Sequence, residues 1–210
     1  MPRRIDPMGA TAQPADDDSV LRDLRRQVRA APPVDATEER NLLERSSHGD
    51  RASLDRVVEA NLGMVIRLAE MRHDRGLSVP DLVQEGSLGL VEAARSFVTS
   101  GEADFATFAA HKVGEQMDAA IAAEASAVRD AELLVAAASD YERTDLLLRR
   151  ELQRQPTENE IAEKLEWTVE RTRYVAQVVA EARRRHDEEL LAFIDPEALD
   201  PEAFDDAVDG

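Results

Sequence analysis

Cysteine is absent from the 210-residue chain, which rules out disulfide bridges and thiolate metal sites and fits a reduced compartment. Aromatic residues make up 4% of it, with a single tryptophan. No run of 18 apolar residues occurs, and the N-terminal MPRRIDPMGATAQPADDD lacks the apolar stretch of a signal peptide. A soluble, cytoplasmic protein with no membrane partner is therefore expected. Basic residues are outnumbered: 26 Lys and Arg stand against 44 Asp and Glu, a net charge of −18. A field of that sign repels phosphate backbones unless a basic patch overrides it locally, so free DNA is expected to be a poor ligand. The four histidines are scattered, and there is no HExxH, GxSxG or phosphate-cradling glycine loop. Glu70 and His73 have the Glu-x-x-His spacing of di-iron bundles, but neither a second copy nor two further glutamates accompany them. No catalytic residue, metal site or cofactor is assigned, and a helical enzyme is the remotest reading.

What remains is helical pattern from end to end, and the expected class is all-α. Residues 1–33 read as a flexible arm followed by a short basic helix, VLRDLRRQVRA, that ends at Pro32-Pro33. Residues 34–125 form a first helical domain. Thr37 is its expected first cap, HGD its first turn, and Ala52 to Met71 a long core helix with Leu54, Val57, Val58, Leu62, Val65 and Leu68 on one side and Gly76 at its C-terminal end. Ser78-Val79-Pro80-Asp81 has capping-box spacing with proline in the first turn of the next helix. A further helix is expected from Phe105 to about Ala125. Residues 126–185 form a second domain, with a helical stretch to Leu152, a break at RQPT and a helix-turn-helix-like pair. In that pair Thr157 and Glu160 make a capping box, Ile161, Ala162 and Leu165 line one helix, and Glu166-Trp167 turn the chain. Thr168 caps the other helix, with Val169, Tyr174, Val175 and Val178 facing inward. Residues 186–210 carry ten acids and no Lys or Arg and read as a disordered acidic tail.

The stretch DLVQEGSLGLVEAARSF, Asp81 to Phe97, is the least ordinary part of the pattern. Val83, Leu90, Ala94 and Phe97 share a core-facing stripe with Val91 beside it, while Asp81, Gln84, Glu85, Leu88, Glu92 and Arg95 share the opposite face. Leu88 is a lone apolar residue among charges. Gly86 and Gly89 each cost roughly 1 kcal/mol against alanine in a helix, a cost that a close approach to a neighbouring backbone offsets.

The order VDATEERNLLERSSHGDRASLDRVVEANLGMVIRLAE, RGLSVPDLVQEGSLGLVEAARSF, DFATFAAHKV resembles the second region of sigma-70 family transcription initiation factors from about Val34 to Met117. The later LLLRRELQRQPTENEIAEKLEWTVERTRYVAQVV resembles their third region. The resemblance implies that the polar helix face docks on a coiled coil of the largest subunit of core RNA polymerase, through Asp81, Gln84, Glu85, Leu88 and Glu92. Carboxylates accept charge-assisted hydrogen bonds from partner arginines, and Leu88 supplies a desolvated centre.

Family members follow this helix with aromatic and basic residues that capture flipped bases, and here the sequence departs from them. Phe105, Thr107 and Phe108 keep part of that run, but the usual paired tryptophans are His111 and Lys112, and the following arginine is Gly114. Core packing is the expected role of Phe105 and Phe108. Lys112, Arg129, Arg171 and Arg173 complete the candidate nucleic-acid residues; Leu133 stands where the family's extended-promoter histidine would be, and no basic fourth region follows within the chain. The expected function is that of a sigma-like factor that binds core polymerase in transcription initiation, contacting promoter DNA only within that complex. The alternative is a mimic or antagonist that occupies the polymerase clamp, or an anti-sigma protein, without opening DNA. An anti-sigma protein is also a candidate partner.

Overall fold

The structure, a computed structural model, describes residues 14–193. These form seven helices and, among the described residues, no strand: α1 Pro14–Ala30, α2 Ala36–Ser47, α3 Arg51–Glu70, α4 Val79–Ser100, α5 Phe105–Leu152, α6 Glu158–Leu165 and α7 Val169–Phe193. The chain divides into two compact units between Ala127 and Val128.

The first unit is built on α3 and α4. Its core joins Leu43 of α2, Val57, Val65 and Ala69 of α3, Leu82, Leu90 and Ala93 of α4, and Val113 and Met117 of α5, with Leu24 and Val28 of α1 packed against it. Buried Ser46 lies within hydrogen-bond distance of the Leu43 carbonyl at 2.8 Å and the Ala94 carbonyl at 3.1 Å, so its hydroxyl bridges α2 to α4. Arg56 donates to the Pro32 carbonyl at 2.8 Å and seats the α1–α2 connection on α3.

Several boundaries differ from the sequence expectation. The basic helix begins at Pro14, because a proline in the first turn followed by Asp16, Asp17 and Asp18 suits a helix N-terminus. Asp35, not Thr37, caps α2, its carboxylate accepting from the amides of Thr37 and Glu38 at 2.8 Å. The long core helix ends at Glu70, and Gly76 does not cap it; Asp74 at φ 62° and Gly76 at φ 108° shape the loop beyond. No break separates Ala125 from Leu152, since this alanine-rich stretch contains neither glycine nor proline. The first eight residues of the expected disordered tail, His186 to Phe193, continue α7. The arm before Pro14 and the tail after Phe193 lie outside the described residues.

In the second unit Ala137, Val175 and Val179 are buried together, with Leu134, Tyr141 and Trp167 packed on them. Tyr174 does not face inward: it is 57% exposed, and buried Thr172 takes the interior place, its hydroxyl donating to the Thr168 carbonyl at 3.0 Å. Glu166 ends α6 at φ 55°, a left-handed conformation that glycine adopts more readily.

The Thr157–Glu160 capping box is present, and Arg154 grips the same carboxylate at 2.6 and 3.0 Å. The Arg154 hydrogen bond is the leading cause that holds Glu160 at about 2, with the Thr157 bonds adding to it. A depressed folded-state value means that this cap contributes its stability above the ordinary glutamate range and loses it as pH falls toward about 2. Glu160→Gln should therefore weaken α6 at pH 7 and flatten its acid titration, read by amide exchange of the α6 residues. Equal pH profiles in both proteins would refute the linkage.

Candidate functional site

α4 owes its direction to its first turn. Ser78 caps it, its hydroxyl donating to the Asp81 carboxylate at 2.7 Å while the Asp81 amide returns a bond at 3.3 Å. Val83, Leu90 and Ala94 are buried as the stripe predicted, and Leu82 and Ala93 join them. Gly86 and Gly89 face α5 in close contact: a Cβ on Gly89 would lie 2.8 Å from the Lys112 carbonyl oxygen, and one on Gly86 would lie 2.2 Å from the Met117 methyl. At the two glycines α5 comes close against the α4 backbone.

The opposite face of α4 is open. Asp81, Gln84 and Glu92 are exposed, Glu85 is half-buried, and Leu88 is 56% exposed among them. Two of the carboxylates reach across to α5. Glu85 accepts from the Gln116 amide at 2.9 Å, and Glu92 accepts from the Lys112 ammonium at 3.0 Å. The Glu92 contact raises the Lys112 pKa further above its ordinary value. A groove of about 700 Å³ runs beside this face, walled by Asp81, Gln84 and Glu85 and floored by Ala119, Ala120 and Ala123.

Both aromatic rings at the start of α5 are engaged with Phe97. Phe105 is 3% exposed, its ring edge-on to Phe97 at 5.2 Å, and Phe108 packs on Phe97 at 5.7 Å. Thr107 is exposed, its amide bonded to Asp104, and exposed His111 lies 3.3 Å from Glu115. Farther along, Asp118 receives Arg72 at 3.1 and 3.2 Å and Arg75 at 2.7 Å. The Arg72 hydrogen bond leads in holding the Asp118 carboxyl below its ordinary range, with Arg75 assisting. Gly114 makes room for Arg72, whose Nη2 lies 3.0 Å from where a Cβ would be.

The remaining candidates are dispersed. Arg129 is exposed on α5. Arg171 lies over the Trp167 ring at 4.3 Å, and Arg173 pairs with Glu158 at 3.1 Å. Glu70 and His73 share no helical face, because α3 ends at Glu70, which pairs with Arg25 while His73 meets Asp74. No group of three or more His, Asp or Glu among the described residues is placed to hold a metal ion, and none of the described helices is long and apolar enough to cross a membrane. The sequence reading missed Gln116, Asp118 and Arg72. The Gly86-Gly89 spacing was the available signal that α5 would come close enough for such side chains to reach across.

A family model described as Sigma-70 region 2 matches residues 57–113, from α3 through α4 into α5. The chain is 40% identical over 128 residues to the RNA polymerase sigma factor SigA of Synechocystis sp., covering 61% of this chain and 30% of that protein. It is 32% identical over 184 residues to SigA of a Bacillus species, covering 84% and 49%, and 30% identical over 164 residues to SigA of Clostridium acetobutylicum, covering 78% and 43%. The chain thus spans between 30% and 49% of the length of these curated relatives. Placed on the helices that carry the exposed leucine and the close glycines, these matches show that the chain carries region 2 of the sigma-70 family.

Proposed function

We propose that this chain binds core RNA polymerase through the open face of α4 and acts in transcription initiation, in the manner of the sigma factors it resembles. The observation that carries this reading is Leu88, an apolar side chain 56% exposed at the centre of Asp81, Gln84, Glu85 and Glu92. A leucine ringed by carboxylates suits a partner helix that offers basic side chains around an apolar patch, the composition of an interface with an anchor and a polar rim. The named occupant is a coiled coil of the polymerase's largest subunit. Promoter DNA is contacted within that complex, because a net charge of −18 opposes binding by the chain alone.

Leu88→Arg removes the apolar anchor and sets a cation against the partner's basic side chains, and is expected to lower affinity for core polymerase by about 30-fold, roughly 2 kcal/mol, with unchanged circular dichroism. Glu85→Arg should act in the same direction. Purified core enzyme titrated with labelled protein gives the measurement. Absence of binding by the parent, or parental affinity in both variants, removes the proposed docking face.

A further inference from the structure

Resting on that docking reading, we propose that two neighbouring residues of α5 set the strength of the α4 face with opposite signs: Gln116 as a positioning residue for Glu85, and Lys112 as a mask on Glu92. The surface that meets the partner is thus composed by two helices, although its contact groups lie on one.

Leu88 sits between the two carboxylates, three residues after Glu85 and four before Glu92. The carboxylates are seven residues apart, about two helical turns or roughly 10 Å along the axis, on one side of α4. Each is engaged from α5, and the two engaging residues are four apart, one turn of that helix. Gly89 explains the reach. It lies between the carboxylates in sequence, and its missing Cβ lets the Lys112 carbonyl and the Cβ of Gln116 come against α4.

The chemistry of the two bonds differs. An amide is neutral, so the Gln116 bond at 2.9 Å fixes the direction of the half-buried Glu85 carboxylate and leaves its charge whole. An ammonium carries a full charge, so the Lys112 bond at 3.0 Å holds Glu92 and also cancels the field that a partner cation would feel. Glu115 stands 4.0 Å from the same ammonium, farther than Glu92 at 3.0 Å, so it offsets Lys112 only in part. Glu85 is therefore the oriented, unneutralised carboxylate of the pair, and Glu92 the screened one. The partner that fits is a helix with a basic side chain facing Glu85, an apolar one facing Leu88 and a weaker cationic requirement two turns along.

The test uses the full chain and purified core RNA polymerase. Gln116→Met keeps the bulk of the side chain and removes the donor; affinity should fall by a factor of about 5, within the usual net worth of one intramolecular hydrogen bond. Lys112→Met should tighten binding by a factor of about 3 at low salt, and the gain should vanish near 0.5 M salt as the charges are screened. In an Glu85→Gln background, which lowers affinity by itself, Gln116→Met should add nothing. Damage to packing alone would weaken binding in both single variants and leave the effects additive, and either result overturns the inference. Should Glu85→Gln leave affinity untouched, the docking face itself fails; should it weaken binding while Gln116→Met does not, only the positioning role fails.

Discussion

Gly89→Val, at a buried position of α4, is expected to destabilise the first helical unit by about 3 kcal/mol. The obstacle is backbone. A Cβ at this position meets the Lys112 carbonyl oxygen at 2.8 Å and the Val113 Cα at 3.0 Å, and neither can swing aside without moving α5. Gly86 provides the contrast, because the shortest approach there, 2.2 Å, is to the end of the flexible Met117 side chain. Val65 is stiffer and stands at 2.9 Å, so Gly86→Ala still requires repacking. Alanine regains about 1 kcal/mol of helix propensity over glycine at either site, so the softer contact leaves Gly86→Ala nearer to neutral than Gly89→Ala. The chain has two compact units, so one melting temperature does not report on one of them. Amide exchange of Leu82, Leu90 and Ala93 in α4 is the suitable readout. Parental protection of these amides in Gly89→Val would show that the close approach is dispensable.

The same glycine explains how far the sequence was legible. Periodicity located α3 and α4 to within a residue at most ends and selected Val83, Leu90 and Ala94 as buried, because a single amphipathic stripe meets a single core. The glycine pair announced a close neighbour without naming it. Gln116 and Lys112 lie far along the chain from the carboxylates they hold, and no local pattern pairs residues on separate helices. Tyr174 failed for another reason. On α7 it sits beside the inward stripe, and the small core of the second unit takes Thr172 and Val179 in preference to a bulky phenol. Resemblance singled out the open face of α4 as the proposed docking surface, which burial alone would not have done: an exposed leucine is ordinary, and this one draws notice from its charged surroundings.

Phe105 and Phe108 illustrate the reverse case. Their types matched the aromatic run of the resembling family, yet both rings pack on Phe97, and Phe105 is buried. Ala106, Thr107, His111 and Glu115 are exposed at the start of α5, while Lys112 is engaged with Glu92 and the cations Arg72 and Arg75 converge on Asp118. Few groups on this stretch are free to receive a base or a phosphate.

In the proposed polymerase complex, this chain is therefore expected to open promoter DNA poorly without a helper, with permanganate reactivity at bubble thymines near the closed-complex background even at saturation. Holding a base out of the duplex stack costs a few kcal/mol, which aromatic faces elsewhere supply at ~1–3 kcal/mol per base. His111→Trp with Lys112→Trp should raise reactivity several-fold, since His111 is exposed and both side chains approach Glu115. The Lys112 change also removes its cover from Glu92, so docking should not weaken alongside it. Adding Gly114→Arg is a harder change than the sequence alone suggested. Arg72 Nη2 occupies the space 3.0 Å from the new Cβ, so the incoming arginine must displace Arg72 from Asp118 or be displaced by it. Either way, three guanidinium groups then compete for one carboxylate, and the displaced cation is free for phosphate. The triple variant should accordingly exceed the double variant at low salt and converge with it as salt rises. Strong thymine reactivity with the unmodified chain and core enzyme alone, on a promoter from its own genome, would show that base capture here uses residues other than those of early α5.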